Sequence, residues 1–336
     1  MKIGQSYAKT DPGRRRRGNE DAFVLQPPLF AIADGMGGAQ AGEIASALAA
    51  GALKEVRPDG GGQRRVVELI EEANRRVHER ASTDAATSGM GTTMTVALVE
   101  TDGSVTFGHV GDSRAYLLRD DRLEQITDDH SLVAELVRRG ELSPAEAEVH
   151  PQRSVITRAL GTDPDIDVDA FSVDAKPGDL FLICSDGLSD MVDGGTLEAI
   201  LRSNRDDLQA ASKALVQAAN RAGGEDNITA VLFELVDGDP PPAEPDERTR
   251  EMQTPERDDE DTLHPEDRVA PPPRADDTMV VPVEQIEAAA PPPAAPEEPK
   301  EPEEPEAGLG RRLLALVVIA GLCALIVVLV WWGLAR

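Results

Sequence analysis

Thr93-Met94-Thr95-Val96-Ala97-Leu98-Val99-Glu100, Val105-Thr106-Phe107-Gly108-His109-Val110 and Ala115-Tyr116-Leu117-Leu118 follow one another with only Thr101-Asp102-Gly103-Ser104 and Gly111-Asp112-Ser113-Arg114 between them. Each run is short, apolar or β-branched, and bounded by Gly or Asp, so each reads as a strand. No helix intervenes, which argues against a doubly wound parallel sheet. An α+β fold with antiparallel sheets covered by helices is the expectation. Outward from this block, Tyr7 to Thr10, Ala22 to Leu25, Leu29 to Ala33, Leu180 to Cys184 and Ile228 to Leu235 read as further strands. Gly42 to Leu53, Arg64 to Arg80, Ser131 to Arg139, Leu197 to Leu201 and Leu208 to Ala222 carry helical apolar spacing. Ser143-Pro144-Ala145-Glu146 is a capping-box start with Pro at the first helical position.

The character of a packed domain holds through residues 1–236 and then stops. Residues 237–310 contain 17 of the 25 prolines and 23 acidic against 6 basic residues, so they supply −17 of the −28 net charge. Such a stretch buries too little apolar surface to offset its ordering entropy and reads as an acidic, Pro-rich disordered linker. Residues 311–336 begin with Arg311-Arg312 and continue as 22 uncharged residues, Leu313 to Leu334, ending in Trp331-Trp332 near the far side. At ~1.5 Å per residue this run matches a hydrocarbon core of ~30 Å and reads as a C-terminal transmembrane helix. The arginines on its near flank place the N-terminal domain in the cytoplasm, facing the inner side of the cell membrane. Met1 to Asp21 is polar and basic, with no export signal, and Arg14 to Arg17 lacks the apolar stretch that a twin-arginine signal needs. Cys184, in an apolar strand, and Cys323, in the span, have no evident partner, as a reducing compartment requires.

Chemistry enters through acidic, glycine-bearing stretches set at strand ends. Asp21 lies at the entrance to a strand, Asp34 at the exit of the next and Asp112 between two strands. Asp186 closes an apolar strand and Asp226 precedes the last one. A single Asp-Gly pair is more often a turn than a ligand. Carboxylates gathered at one edge repel unless cations or protons neutralise them, and the set lacks the Cys or His spacing of zinc sites. Mg²⁺ or Mn²⁺ is therefore expected. A nucleic-acid partner is disfavoured, because residues 1–236 carry a net charge of about −14, which would repel a phosphate backbone.

The ordered series Arg16-Arg17-Gly18-Asn19-Glu20-Asp21, Asp34-Gly35-Met36-Gly37-Gly38, Gly91-Thr92-Thr93, Gly111-Asp112-Ser113-Arg114, Ser185-Asp186-Gly187-Leu188 and Glu225-Asp226-Asn227 resembles the metal-dependent (PPM, type 2C-like) Ser/Thr protein phosphatases of bacteria. The resemblance implies a four-layer α-β-β-α sandwich with a metal centre at one edge. It implies Asp21, Asp34, Asp186 and Asp226 as core metal ligands for two ions, Gly35 offering its carbonyl and Glu20 acting through water. It further implies Asp112 at a third metal site, Arg16 holding the substrate phosphate, and a flap over residues 132–155. Two bridged cations would supply a water nucleophile at neutral pH and neutralise the phosphoryl charge. No protein nucleophile is then needed, and Cys184 reads as a buried strand residue.

The pattern breaks at Ala39, where the family often has a His linked to leaving-group protonation. His109, His130 and His150 are alternative acids, each with a bland reading as a strand, cap or loop histidine. The expected partners are phosphorylated proteins, among them Ser/Thr kinases and their substrates, with the C-terminal helix holding the enzyme to the membrane. Two rivals stay open: a pseudophosphatase that binds phosphoproteins, and an enzyme acting on a phosphorylated transcription regulator. Thr249, Thr254 and Thr278 in the linker read either as phosphosites or as inert.

Overall fold

The computed structural model describes residues 1–37, 41–56, 60–238 and 279–280. Of two compact units, Met1–Ile286 carries all of these, and Glu287–Arg336 falls outside them. Ala39, Thr249, Thr254, Thr278, Cys323, the span 313–334 and the linker reading, apart from residues 237–238 and 279–280, also lie outside the described residues.

One sheet has the spatial order β1 (Lys2–Asp11), β12 (Ile228–Val236), β11 (Leu180–Cys184), β7 (Arg114–Arg119) and β8 (Arg122–Gln125). The other runs β10 (Asp169–Val173), β6 (Val105–Val110), β5 (Met94–Val99), β3 (Leu29–Met36) and β2 (Asp21–Gln26), with β4 (Gly91–Thr92) pairing the end of β3. All pairs in both sheets are antiparallel, including those such as β3 with β5 and β11 with β12 whose connections carry helices.

Side-chain alternation sorts each strand into two layers. On β3, Phe30 and Ile32 point between the sheets while Leu29, Ala31 and Ala33 face helices. On β11, Phe181 and Ile183 enter the same middle layer, and Leu180, Leu182 and Cys184 face the opposite helical coat. All six phenylalanines of the chain belong to the middle layer. Phe30 stacks on Phe233 at 4.2 Å, Phe233 on Phe181 at 5.0 Å, and Phe107 bridges Phe181 and Phe171 at 5.8 and 5.4 Å. Each fully buried ring contributes roughly 1.5–3 kcal/mol by burial alone.

Helices α1 (Ala41–Lys54) and α2 (Gly62–Thr83) coat the β3 sheet. The buried side of α1 is small, with Ala41, Ala45, Ala49 and Ala52, so the helix lies close to the strands. Gly108 serves the same approach from β6: a methyl there would collide with Val66 and Ile70 of α2. The other coat is α5 (Asp186–Ser189), α6 (Gly194–Ser203) and α7 (Leu208–Ala222). Two antiparallel sheets flanked by helices on both sides agree with the sequence expectation.

Differences fall on polar edges. Strand β8 was not anticipated because Arg122-Leu123-Glu124-Gln125 is mostly exposed, yet Asp120 and Asp121 have φ of 51° and 61° and make a tight hairpin from β7. Strand β10 is likewise a half-exposed edge, and β1 extends back to Lys2 through an irregularity between Ile3 and Ser6. Within the flap, α3 (Leu132–Arg138) is capped by Ser131, and α4 (Pro144–Glu148) starts with the expected capping box. After them come β9 (Val155–Ile156) and, pairing it in parallel, β13 (Met279–Val280). Those two residues lie within the stretch that composition reads as a linker.

Candidate metal centre

Asp21 opens β2 and stands directly opposite Asp34 on β3. Like charges across a strand pair destabilise it, so this pairing needs a compensating partner. The main chain at Asp34 is held by the Gly91-Thr92-Thr93 turn: its N–H donates to Thr93 Oγ1 (3.0 Å), and its carbonyl accepts from Thr93 N (2.8 Å) and Thr92 Oγ1 (2.8 Å). Gly35 follows, its N–H donating to the Glu20 carbonyl at 3.1 Å. A side chain on Gly35 would strike the Gly42 carbonyl at the start of α1, so strand, turn and helix meet here only around a glycine. The Glu20 N–H donates to Asn227 Oδ1 at 2.7 Å, tying the Asn19-Glu20-Asp21 stretch to the start of β12.

The remaining carboxylates arrive from other strand ends. Asp186 is the first residue of α5 after β11, and Asp112 lies in the β6–β7 loop. Asp226, just before β12, accepts from Asn227 N and from Arg16 Nη2, both at 2.7 Å. Charge from Asp21, Asp186, Asp226 and Asp112 all bears on Asp34. Burial, and then this mutual repulsion, lifts Asp34 and Asp186 well above the usual carboxylate range. Burial pushes Asp112 up to about 7, with Asp129 and Asp190 adding to it. Asp21 rises to about 6, burial outweighing hydroxyl bonds from Thr229 and Ser185 at 2.5 and 2.9 Å on its Oδ2.

Whether cations suit this rim can be tested on the donors. Asp21 Oδ1 and Asp186 Oδ1 are buried without a hydrogen-bond partner, an expense that a cation would remove. The donors are hard oxygens, which fit Mg²⁺ or Mn²⁺. Among the described residues, no three acidic, His or Cys side chains stand close enough to form a finished cage. Arg16 occupies Asp226 and two hydroxyls occupy Asp21, so two of the candidate ligands are held by proton donors. A cation held there would favour the ionised carboxylates and oppose the upward shifts.

Sequence reasoning missed the supporting residues. Ser185 and Thr229 orient Asp21, and Asn227 Nδ2 donates to the carbonyls of Pro12 and Gly18, shaping the Arg16 loop. Their signal was position alone: Ser185 and Asn227 abut candidate ligands. Arg114 is neutralised by Asp129, with Nη2 to Oδ2 at 2.6 Å, so the arginine of the Gly-Asp-Ser-Arg stretch braces the loop.

None of the three candidate histidines donates into the rim. His109 is buried on β6, and its Nε2–H donates to the Asp128 carbonyl at 3.1 Å while Nδ1 faces Thr95 Oγ1 at 2.9 Å. Burial drops its pKa to about 3, so it stays neutral. His130 is fully buried, accepts from Gly111 N through Nδ1 and donates through Nε2 to Asp169. It positions the loop that carries Asp112. His150 accepts from Gln152 N inside the flap.

A cleft of about 1100 Å³ runs from Asp112 and Asp186 beneath the flap, past Arg138, Val149 and Arg153. Arg153 pairs with Asp190 at 3.0 Å and tethers the flap to α5. Val149 is 82 % exposed, the large hydrophobic left open to solvent among the described residues.

An acidic rim suited to hard cations, beside a guanidinium fork and an open cleft, is equipment for hydrolysing phosphate esters. Comparison with known proteins agrees. The protein phosphatase 2C family model matches residues 15–232. The serine/threonine phosphatase stp of Listeria innocua is 39% identical over 238 residues, 67% of this chain and 94% of that protein. The Mycobacterium tuberculosis serine/threonine phosphatase PstP/Ppp has a crystal structure that superposes with a TM-score of 0.67 at 37% identity, covering 70% of this chain and 100% of that one. A PstP catalytic domain crystallised with two manganese ions gives 0.64 at 35% identity, over 70% and 99%. The chain belongs to the protein phosphatase 2C family and is an enzyme of that class.

Proposed function

We propose that the chain hydrolyses phosphoserine and phosphothreonine on proteins with two divalent cations, Mn²⁺ or Mg²⁺, held by Asp21, Asp34, Asp186 and Asp226. Gly35 lends its carbonyl, Glu20 acts through water, and Asp112 serves a third ion. The observation that carries this reading is the pair of partnerless buried oxygens on Asp21 and Asp186 within the acidic rim. Bound cations supply a water nucleophile at neutral pH and neutralise charge on the phosphoryl group. The chain's residues do the rest. Arg16 exchanges its bond to Asp226 for two bonds to phosphate oxygens, which orients the ester. Ser185 and Thr229 hold one oxygen of Asp21 and leave the other for a cation.

The natural counterpart is a Ser/Thr protein kinase of the same cell, and the run Leu313 to Leu334 supports anchoring at the inner face of the membrane. No helix among the described residues is long and apolar enough to cross a membrane, and the run lies outside them. Hydrolysis of p-nitrophenyl phosphate and a phosphothreonine peptide by the full chain, after chelation and with Mn²⁺ restored, tests the chemistry. Metal-dependent turnover is expected; inactivity with every cation, or full activity in Asp186→Asn, would overturn it. Deleting residues 311–336 should move the protein from the membrane to the soluble fraction, and retention would refute the anchor.

A further inference from the structure

The flap strand β9 has two sides, and one of them belongs to a distant part of the chain. Ile156 bridges Ser131 on the domain side. On the other side Val155 and Ile156 pair in parallel with Met279 and Val280, which follow β12 by some forty residues. A parallel pair needs a long connection, and residues 157–278 separate β9 from β13 along the chain. The composition of the acidic stretch after β12 singles out the same place. Met279-Val280-Val281-Pro282-Val283 and Ile286 form its densest apolar, β-branched cluster, whereas its other segments are dominated by Pro, Asp and Glu. These are residue types that suit a strand on a half-buried edge.

We infer that the open edge of β9 is a docking site for an extended apolar segment, filled in cis by the chain's own Met279–Val280, and that this clasp governs access of phosphoproteins to the cleft. Strand addition to an exposed edge binds through main-chain hydrogen bonds. Two residue pairs would be too few to hold a free peptide. Covalent linkage raises the effective concentration to about millimolar, which lets a weak contact be populated and keeps it displaceable. The position gives the clasp its reach. Arg153 and Ser154, immediately before β9, line the cleft. Thr157, immediately after it, donates its N–H to the His130 carbonyl at 2.8 Å, and His130 N donates to the Gly111 carbonyl beside Asp112 at 2.8 Å. Filling the edge of β9 therefore steadies the strip of flap between the cleft wall and the Asp112 loop.

The docking half stands apart from the proposed phosphatase chemistry, and the access half rests on it, so the test separates them. In the full chain with Cys323→Ser, a Val155→Cys/Met279→Cys pair should form an intramolecular disulfide at least tenfold faster than a Val155→Cys/Thr254→Cys control, since directly paired residues on neighbouring strands lie within disulfide range. Equal rates would overturn the docking site. Val280→Pro removes a strand N–H. It should speed amide exchange across residues 154–158 and shift KM for a phosphothreonine peptide severalfold, leaving kcat for p-nitrophenyl phosphate unchanged. An unaltered peptide KM, with the disulfide still forming, would overturn the access role alone. Absence of p-nitrophenyl phosphate turnover in the parent chain would count against the phosphatase chemistry and leave the disulfide result standing.

Discussion

The middle layer and the acidic rim are built by the same strands and have opposite energetics. Strand β3 places Phe30 and Ile32 between the sheets and ends on Asp34. Strand β11 places Phe181 and Ile183 there and leads into Asp186, and β12 begins just after Asp226 and goes on to Phe233. In the middle each side chain gains from its neighbours; at the rim each carboxylate raises its neighbours' pKa. Stacked rings hold the strand ends in place against a repulsion that would otherwise spread them. A cation site kept on rigid strands is thus prepared in advance, with the layer offsetting the strain of the rim.

Replacing one rim carboxylate breaks the comparison most sharply. Asp186→Asn should lower kcat/KM for a phosphothreonine peptide roughly a thousandfold, because cation stabilisation of the transition state amounts to several kcal/mol. The same change should raise the melting temperature of chelated protein at pH 8, since it removes a buried carboxyl whose ionisation is opposed by burial and by the neighbouring carboxylates; a fall would show that repulsion at the rim is unimportant. The layer should respond in reverse. Phe233→Ala removes a ring stacked on both Phe30 and Phe181 and should cost about 3–5 kcal/mol, on the order of 10 °C in melting temperature. Turnover measured well below the transition should stay near that of the parent.

Smaller effects sharpen the boundary between the two regions. Thr229→Val keeps the volume of a buried β12 side chain and removes the shorter hydroxyl bond to Asp21, so Mn²⁺ affinity by titration calorimetry should weaken about ten- to a hundredfold. Arg16→Lys keeps the charge and loses the fork, so KM should rise about tenfold with less change in kcat.

The smallest effect is the pH dependence of stability. Asp21 and Asp112 bind protons more tightly folded, at about 6 and about 7, than at their ordinary value of 3.8. Their contribution to stability is complete below that ordinary value and is lost as pH climbs through 6 and 7. His109, depressed from 6.5 to about 3, acts in the other direction: its contribution is present above 6.5 and is lost as pH falls toward 3. Chelated protein should therefore melt lower at pH 8 than at pH 6, and Mn²⁺ should raise the melting temperature more at pH 8. A chelated protein that gains stability from pH 6 to 8 would contradict the shifts at the rim.

The strands of the middle layer were legible because apolar alternation and flanking Gly and Asp are local signals. Leu180 to Cys184, Val105 to Val110 and Leu208 to Ala222 fall where the pattern put them. Strands β8 and β10 were not, because an edge exposes polar residues on one side and loses the alternation. The rim was legible as a set of residue types at strand ends. The partners that hold it were not: Thr229 and Ser185 on Asp21, Asn227 on Glu20 and Asp129 on Arg114 become neighbours only across separations that no local pattern encodes.

By itself the sequence determined the antiparallel class, the change of composition after residue 236 to an acidic, Pro-rich stretch, and the acidic side chains that stand as candidate oxygen donors. These follow from periodicity, composition and side-chain chemistry, which belong to short stretches of chain. Tertiary structure alone decided which oxygens stay without partners, that His109 and His130 are locked away from the rim, and that Met279–Val280 pairs with the flap. Burial and hydrogen bonding between remote segments are properties of the folded arrangement, fixed only when the two sheets close on their shared layer.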